Sequence, residues 1–164
     1  YWRVRKGKVL NSQLIIVSDK IRSGKTTLLA NWLKDKNVGG FLTPDLNNFR
    51  MLYDILKTSF LPFETNGFSE DVTSIGRFFF LNSTFLRGCQ IIVDSIGQNL
   101  EYFIIDEFGK LELMDEGFGP AINSLISNLL EKPNQTTYII VVRDYLVEDF
   151  LEKFGLKVVE WEEF

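Results

Sequence analysis

A β-branched apolar run, Leu14-Ile15-Ile16-Val17, breaks into a polar turn that ends in Ser23-Gly24-Lys25-Thr26 and continues as a segment with helical spacing, TLLANWLKD. This is how a phosphate-binding loop reads. In the pattern G-x-x-x-x-G-K-[ST], successive backbone N–H groups wrap phosphates, the lysine reaches the β/γ oxygens and the hydroxyl ligates Mg²⁺. Gly24, Lys25 and Thr26 match, whereas Asp19 stands at the first glycine position. A carboxylate there repels a polyphosphate unless it turns away or meets a cation. A bare Gly-Lys-Thr also occurs in ordinary turns that cap helices. Its placement between a strand and a helix favours the phosphate reading, because a helix N-terminus adds amide donors and a favourable dipole. The amides from Ser23 through Gly24, Lys25 and Thr26 to Thr27 are then the expected phosphate cradle, with Lys25 on the β/γ-phosphates.

A second chemical element lies far downstream, where Tyr102-Phe103-Ile104-Ile105 runs into Asp106-Glu107-Phe108-Gly109-Lys110. Four consecutive apolar residues suit a parallel strand buried on both faces, with the acidic pair at its C-terminal edge, where ligands of open α/β sheets bind. Asp106 is expected to hold Mg²⁺ together with Thr26. Glu107, one residue on, is placed to orient or deprotonate an attacking water. The plainer alternative has both acids capping a loop and facing solvent.

Three segments carry a resemblance to a known family: SGKTTLL at 23–29, GGFLTPD at 39–45 and DEFGKLEL at 106–113. They resemble the small P-loop nucleoside-triphosphatases that include the cancer-related nucleoside-triphosphatase and its thermophile relatives, and Ile75-Gly76-Arg77 is a fainter echo. The resemblance implies an Mg²⁺-dependent enzyme that hydrolyses several nucleoside triphosphates slowly. It also implies Lys110 as a site residue. The chain departs from the family at Asp19 and Arg22, where glycine is usual, and at Asn47, where an arginine is usual, although Arg50 is close by.

Composition sets limits. The chain has 164 residues, 45% of them hydrophobic, the size of one domain with a real core, so residues 1–164 are expected to form a single domain. Lys plus Arg is 18 and Asp plus Glu is 22, a net charge of −4. No basic footprint for nucleic acid appears, and Arg3, Arg5, Lys6 and Lys8 read as a solvated polar segment. The single Cys89 precludes an internal disulfide and suits a reducing compartment, and its apolar neighbours make it a core candidate. Histidine is absent, which removes Ser-His and Cys-His nucleophilic catalysis and histidine-ligated zinc. No apolar stretch is long enough to span a membrane and no signal peptide opens the chain, so the expected location is the cytoplasm. Beginning at Tyr1, the sequence reads as trimmed or as part of something longer.

The organisation is a βα rhythm with a β-rich insertion. Strands are expected at 14–18, 39–42, 102–106, 138–142 and 157–161. Helices are expected at 25–33, 83–96, 119–130 and 145–154. The 83–96 helix is expected to be capped by Asn82 or Ser83 and to bury Phe85, Leu86, Cys89, Ile92, Val93 and Ile96. Residues 49–64 read as a hairpin of the kind that often lies over a nucleotide. Aromatics at 78–80 and 85 read as core. The fold class is therefore α/β, a P-loop NTPase with a twisted, mostly parallel sheet, helices on both faces and a β-hairpin insertion.

Three cations compete to neutralise the transferring phosphoryl: Arg143, directly after the strand TTYIIVV; Arg22, inside the loop; and Lys110. The leading expectation is a broad-specificity hydrolase acting on a nucleoside triphosphate. The alternatives are a nucleoside or nucleotide kinase and a non-catalytic nucleotide-sensing module. No segment identifies a base preference, an oligomeric state or a protein partner.

Overall fold

The computed structural model describes residues 5–9, 13–19 and 24–163. In chain order the elements are β1 (Arg5–Val9), β2 (Leu14–Asp19), α1 (Lys25–Trp32), β3 (Val38–Leu42), β4 (Asp45–Leu46), β5 (Phe49–Asp54), β6 (Ser59–Pro62), β7 (Glu64–Thr65), β8 (Val72–Ile75) and β9 (Phe78–Leu81). Then come α2 (Asn82–Asp94), β10 (Tyr102–Phe108), α3 (Lys110–Leu113), α4 (Gly119–Glu131), β11 (Thr137–Arg143), a 3-10 turn (Asp144–Leu146), α5 (Val147–Phe154) and β12 (Trp161–Glu163).

Most of these strands form one sheet in the order β12-β1-β2-β11-β10-β3-β5-β4, with β6 joined to β5. Its centre, β2-β11-β10-β3, is parallel, as the buried apolar runs predict. Both flanks are antiparallel: β1 and β12 on one side, β5 with β6 and β4 on the other. Alternation along the strands divides the core between two faces. Leu14, Ile16, Phe41, Phe103, Ile105 and Ile140 pack with α2, α4 and α5. Val17, Ile104, Ile139 and Val141 pack with Leu29 and Trp32 of α1. The parallel strands thus point their C-terminal ends at one edge, and α1 starts from that edge.

Four features differ from the sequence expectations. Of the N-terminal charges, Arg5, Lys6 and Lys8 lie on strand β1, where Lys6 and Lys8 both pair with Glu162 of the neighbouring strand, and Arg3 lies outside the described residues. Strand β12, which pairs with β1, lies at 161–163 instead of 157–161. The helix after β9 begins at Asn82 with Leu81 at its N-cap and no side-chain cap, so neither Asn82 nor Ser83 caps it. Its buried face is Thr84, Phe85, Gly88, Ile91 and Ile92, while Leu86 is 72% exposed and Val93 47%. The seam is centred on Gly88, against which the Phe118 ring packs so closely that a Cβ would lie 2.3 Å from it. A hydrophobicity pattern gives no weight to a glycine, hence the misplaced face. Cys89 is only half-buried beside this seam, its thiol donating to the Gly117 carbonyl at 3.4 Å.

The 49–64 segment is the expected hairpin, β5 with β6, but it also extends the main sheet through β3. Strands β7, β9 and β8 form a separate small sheet. Of its aromatics, Phe80 is buried, as expected for core, whereas Phe78 is 41% exposed. No helix among the described residues is long and apolar enough to cross a membrane.

Gly40 of β3 sets the closest approach in the central sheet. Its φ is +97°, and a Cβ there would lie 2.0 Å from the Ile104 carbonyl oxygen of β10. Backbone cannot yield as a side chain does, and an L residue is strained at that φ. Gly40→Ala is therefore expected to destabilise the fold by at least about 3 kcal/mol, read as a lower urea midpoint. A loss below about 1 kcal/mol would show that the strand pair relaxes.

Candidate functional site

The acidic strand bends where its chemistry sits. Strand β10 pairs with β11 in register up to Ile105 opposite Ile140, and then Phe108 faces Val142, so one extra residue is accommodated at Asp106-Glu107. Such bulges re-aim side chains at sheet rims. Ile105 and Phe108 consequently share one core, and the two acids between them are turned out of the regular alternation.

Asp106 is 4% exposed. Its Oδ2 accepts the Thr26 hydroxyl at 2.8 Å and the Thr43 N–H at 2.9 Å, while the Thr43 hydroxyl donates to the Asp106 carbonyl at 3.1 Å. Burial pushes the Asp106 carboxyl up to about 6, against the pull of the Thr43 and Thr26 hydrogen bonds. No ion pair among the described residues reaches it. Thr26 lies in the first turn of α1, whose N-cap Gly24 has φ +84° and accepts the Leu28 N–H at its carbonyl. This left-handed residue lets the chain enter the helix from a loop. The first turn contains no acid that would oppose an anion.

Glu107 is gripped from both sides. Its Oε1 accepts from Arg143 Nη2 at 3.0 Å and Nε at 3.3 Å, and its Oε2 from Arg50 Nη1 at 3.4 Å. Arg143 ends β11, the parallel neighbour of both β10 and β2, so the expectation that it reaches this edge holds. Arg50 comes from β5, on the other flank. The loop after Glu107 is braced by Glu112, a 2% exposed carboxylate that accepts the Gly109 N–H at 2.9 Å and the Phe118 N–H at 3.1 Å. A Cβ on Gly109 would lie 3.2 Å from Glu107 Oε1 and 3.5 Å from Glu112 Oε2. The glycine thus keeps that loop against the Glu107–Arg143 pair.

The structure therefore brings Thr26, Asp106, Glu107 and Arg143 together. Lys25 begins α1 beside Thr26, and Thr27 is exposed in the same first turn. Lys110 opens α3, its ammonium 5.9 Å from the centre of the Tyr145 ring. Arg22 and Ser23 lie outside the described residues, as does the side chain of Asp19. Sequence reading missed three site neighbours. Thr43, inside the segment GGFLTPD, and Arg50, close to the position where an arginine is usual, join through the sheet and received no role, and Gly109-x-x-Glu112 has the spacing of a capping box and was open to recognition.

The Thr26 hydroxyl and Asp106 carboxylate are hard oxygen donors in contact, and the carboxylate is buried with no cation paired to it among the described residues. That donor set fits Mg²⁺, which is held by one or two protein oxygens and completes its shell with water and phosphate. No group of three or more Cys, Asp or Glu among the described residues could hold a metal unaided, so the remaining ligands would come from solvent and substrate.

A strand, a glycine-lysine-threonine helix start and an acidic strand end converging at one edge of a parallel sheet define a small P-loop nucleotide-binding protein. A profile of the NTPase family matches residues 14–161, and the chain belongs to that family. The fold is similar to the crystal structure of THEP1 from the hyperthermophile Aquifex aeolicus, with a TM-score of 0.63 and 19% identity over 86% of this chain and 83% of that one. No curated protein matches the sequence.

Burial, and after it the charge of Glu107, pushes Glu112 from an ordinary 4.5 up to about 7. Between those values the folded protein keeps a proton that the unfolded chain has released, so stability falls as pH rises through the window and levels off above it. Asp106 acts in the same direction from 3.8 to about 6, so above pH 6 it adds only the tail of its titration and most of the fall belongs to Glu112. Urea unfolding in chelator is expected to show a loss of about 1 kcal/mol or somewhat more from pH 6 to 7.5, reduced to less than half in Glu112→Gln, where only the tail of Asp106 remains. An equal slope in both proteins would remove Glu112 as its source.

Proposed function

We propose that the protein is an Mg²⁺-dependent nucleoside-triphosphate hydrolase with broad base specificity, in which water attacks the γ-phosphorus. The observation that carries this reading is the 2.8 Å hydrogen bond from Thr26 to Asp106. It joins the helix-start hydroxyl to the acidic strand across 80 residues of sequence, at the sheet edge where α/β folds bind ligands.

The amides from Ser23 to Thr27 hold the α- and β-phosphates, and Lys25 spans β and γ. Thr26 and Asp106 would hold the metal, and Mg²⁺ bound there would supply positive charge that offsets the charge of the phosphates. Glu107 accepts a hydrogen bond from the attacking water and aligns it with the phosphorus; the new P–O bond forms as the bond to the bridging oxygen breaks, the nucleoside diphosphate leaves with that electron pair, and the water's proton passes through Glu107 to the released phosphate. Arg143 steadies that carboxylate and supplies positive charge nearby. The transition state is loose, so positioning and charge neutralisation supply most of the rate. Broad base specificity accords with a site whose assigned residues all address phosphates, metal or water.

Phosphate release from ATP, GTP, CTP and UTP, each with and without nucleoside or monophosphate acceptors, tests the reading. Comparable slow release from all four is expected. Lys25→Ala abolishes turnover, and Glu107→Gln retains nucleotide affinity while losing at least about 100-fold in kcat. Strong stimulation by one acceptor would make the protein a kinase. Binding without turnover would make it a sensor.

A further inference from the structure

Glu107 is the carboxylate best placed to align water, yet both of its oxygens are already engaged. Arg143 takes Oε1 with two N–H groups and Arg50 takes Oε2 with one. A carboxylate clamped in charge-assisted hydrogen bonds on both oxygens is a poorer acceptor for water. The two grips are unequal. Arg143 donates twice, at 3.0 and 3.3 Å, whereas Arg50 donates once at 3.4 Å.

Arg50 is also mounted to turn. Its Nε is held by Asp45 Oδ1 at 3.2 Å, its backbone N–H by Glu64 Oε2 at 3.1 Å, and Nη2 has no partner among the described residues. The guanidinium can thus exchange its Nη1 partner without losing its anchor. Neighbouring hydrogen bonds keep it at the site. The Met51 N–H donates to the Pro44 carbonyl, and Thr43, one residue before Pro44, donates to Asp106.

We propose that Arg50 reads the terminal phosphate, leaving Glu107 for a triphosphate's γ-phosphoryl while its Nε stays on Asp45, so that the substrate frees the carboxylate that aligns water. This deepens the proposed hydrolase reading and rests on it. A γ-phosphoryl carries more charge than one carboxylate and offers several acceptor oxygens, and a guanidinium with spare donors matches it better than an ammonium would. A diphosphate lacks that group, leaving Glu107 clamped.

The test is a double-mutant cycle in nucleotide affinity, measured by calorimetry for ATP and ADP in chelator and again with Mg²⁺, together with kcat and KM. The proteins are wild type, Arg50→Gln, Glu107→Gln and the double variant, with melting curves to verify folding. Wild type is expected to prefer ATP to ADP. Arg50→Gln is expected to lose about tenfold or more of that preference and about 100-fold in kcat. It should lose ATP affinity in the Glu107→Gln background as well, because its contact there is with phosphate. Arg50→Lys, which keeps the charge, should restore part of the preference, and it stands in should Arg50→Gln fail to fold. If Arg50 only braces Glu107, its substitution lowers ATP and ADP affinity alike and has no effect once Glu107 is Gln. That result overturns the proposal while leaving hydrolysis by wild type intact. Absence of triphosphate binding by wild type would end both readings.

Discussion

Asp106 is a carboxylate in a place where carboxylates are costly. Buried near the end of a central strand, it has its ionised form disfavoured by desolvation, which the Thr43 amide, the Thr26 hydroxyl and the charge of Arg50 offset in part. A protein that served only stability would place an apolar residue here, as β10 does at Ile104 and Ile105. The retained charge costs stability, and the Mg²⁺ proposed for this site would relieve that cost. Much of the surrounding architecture serves to hold that one group at the sheet edge.

The sheet meets this requirement by bringing distant segments to one edge. Strand β11 separates the loop-bearing β2 from β10, so Thr26 reaches Asp106 from the start of α1. The same insertion brings Arg143 alongside Glu107. On the other flank, Gly40 allows β3 to lie so close to β10 that a side chain would collide with its backbone, and Thr43 follows directly from that strand. Beyond the acids, Glu112 ties the Gly109 and Phe118 amides together and keeps the outgoing loop against the Glu107–Arg143 pair.

The elements that were legible are those whose signal is local. A run such as YFII has no other stable home than a buried strand, and Gly24-Lys25-Thr26 between a strand and a helix has few readings. Arg143 could be placed at the site because it directly follows a recognisable parallel strand. The errors arose where burial depends on a distant partner. Leu86 and Val93 are as apolar as Phe85, and only the position of Phe118 over Gly88 decides which side of α2 faces inward. The charged stretch at β1 looks like a solvated tail until Glu162 is opposite it. Arg50 was noted only as lying near a position where an arginine is usual, and its contact with Glu107, 57 residues away, could not be read from the sequence.

Residue order alone was enough for the βα rhythm and for bringing Thr26, Asp106, Glu107 and Arg143 to one sheet edge, because buried strands, helix starts and turn residues are short-range consequences of side-chain shape, charge and backbone freedom. The partners of each charge belonged to the tertiary structure. Whether Glu107 faces water, one arginine or two, and whether Asp106 is solvated or sealed, follows from strand order and register. Those are decided by packing energies summed over the whole sheet, which no single segment contains.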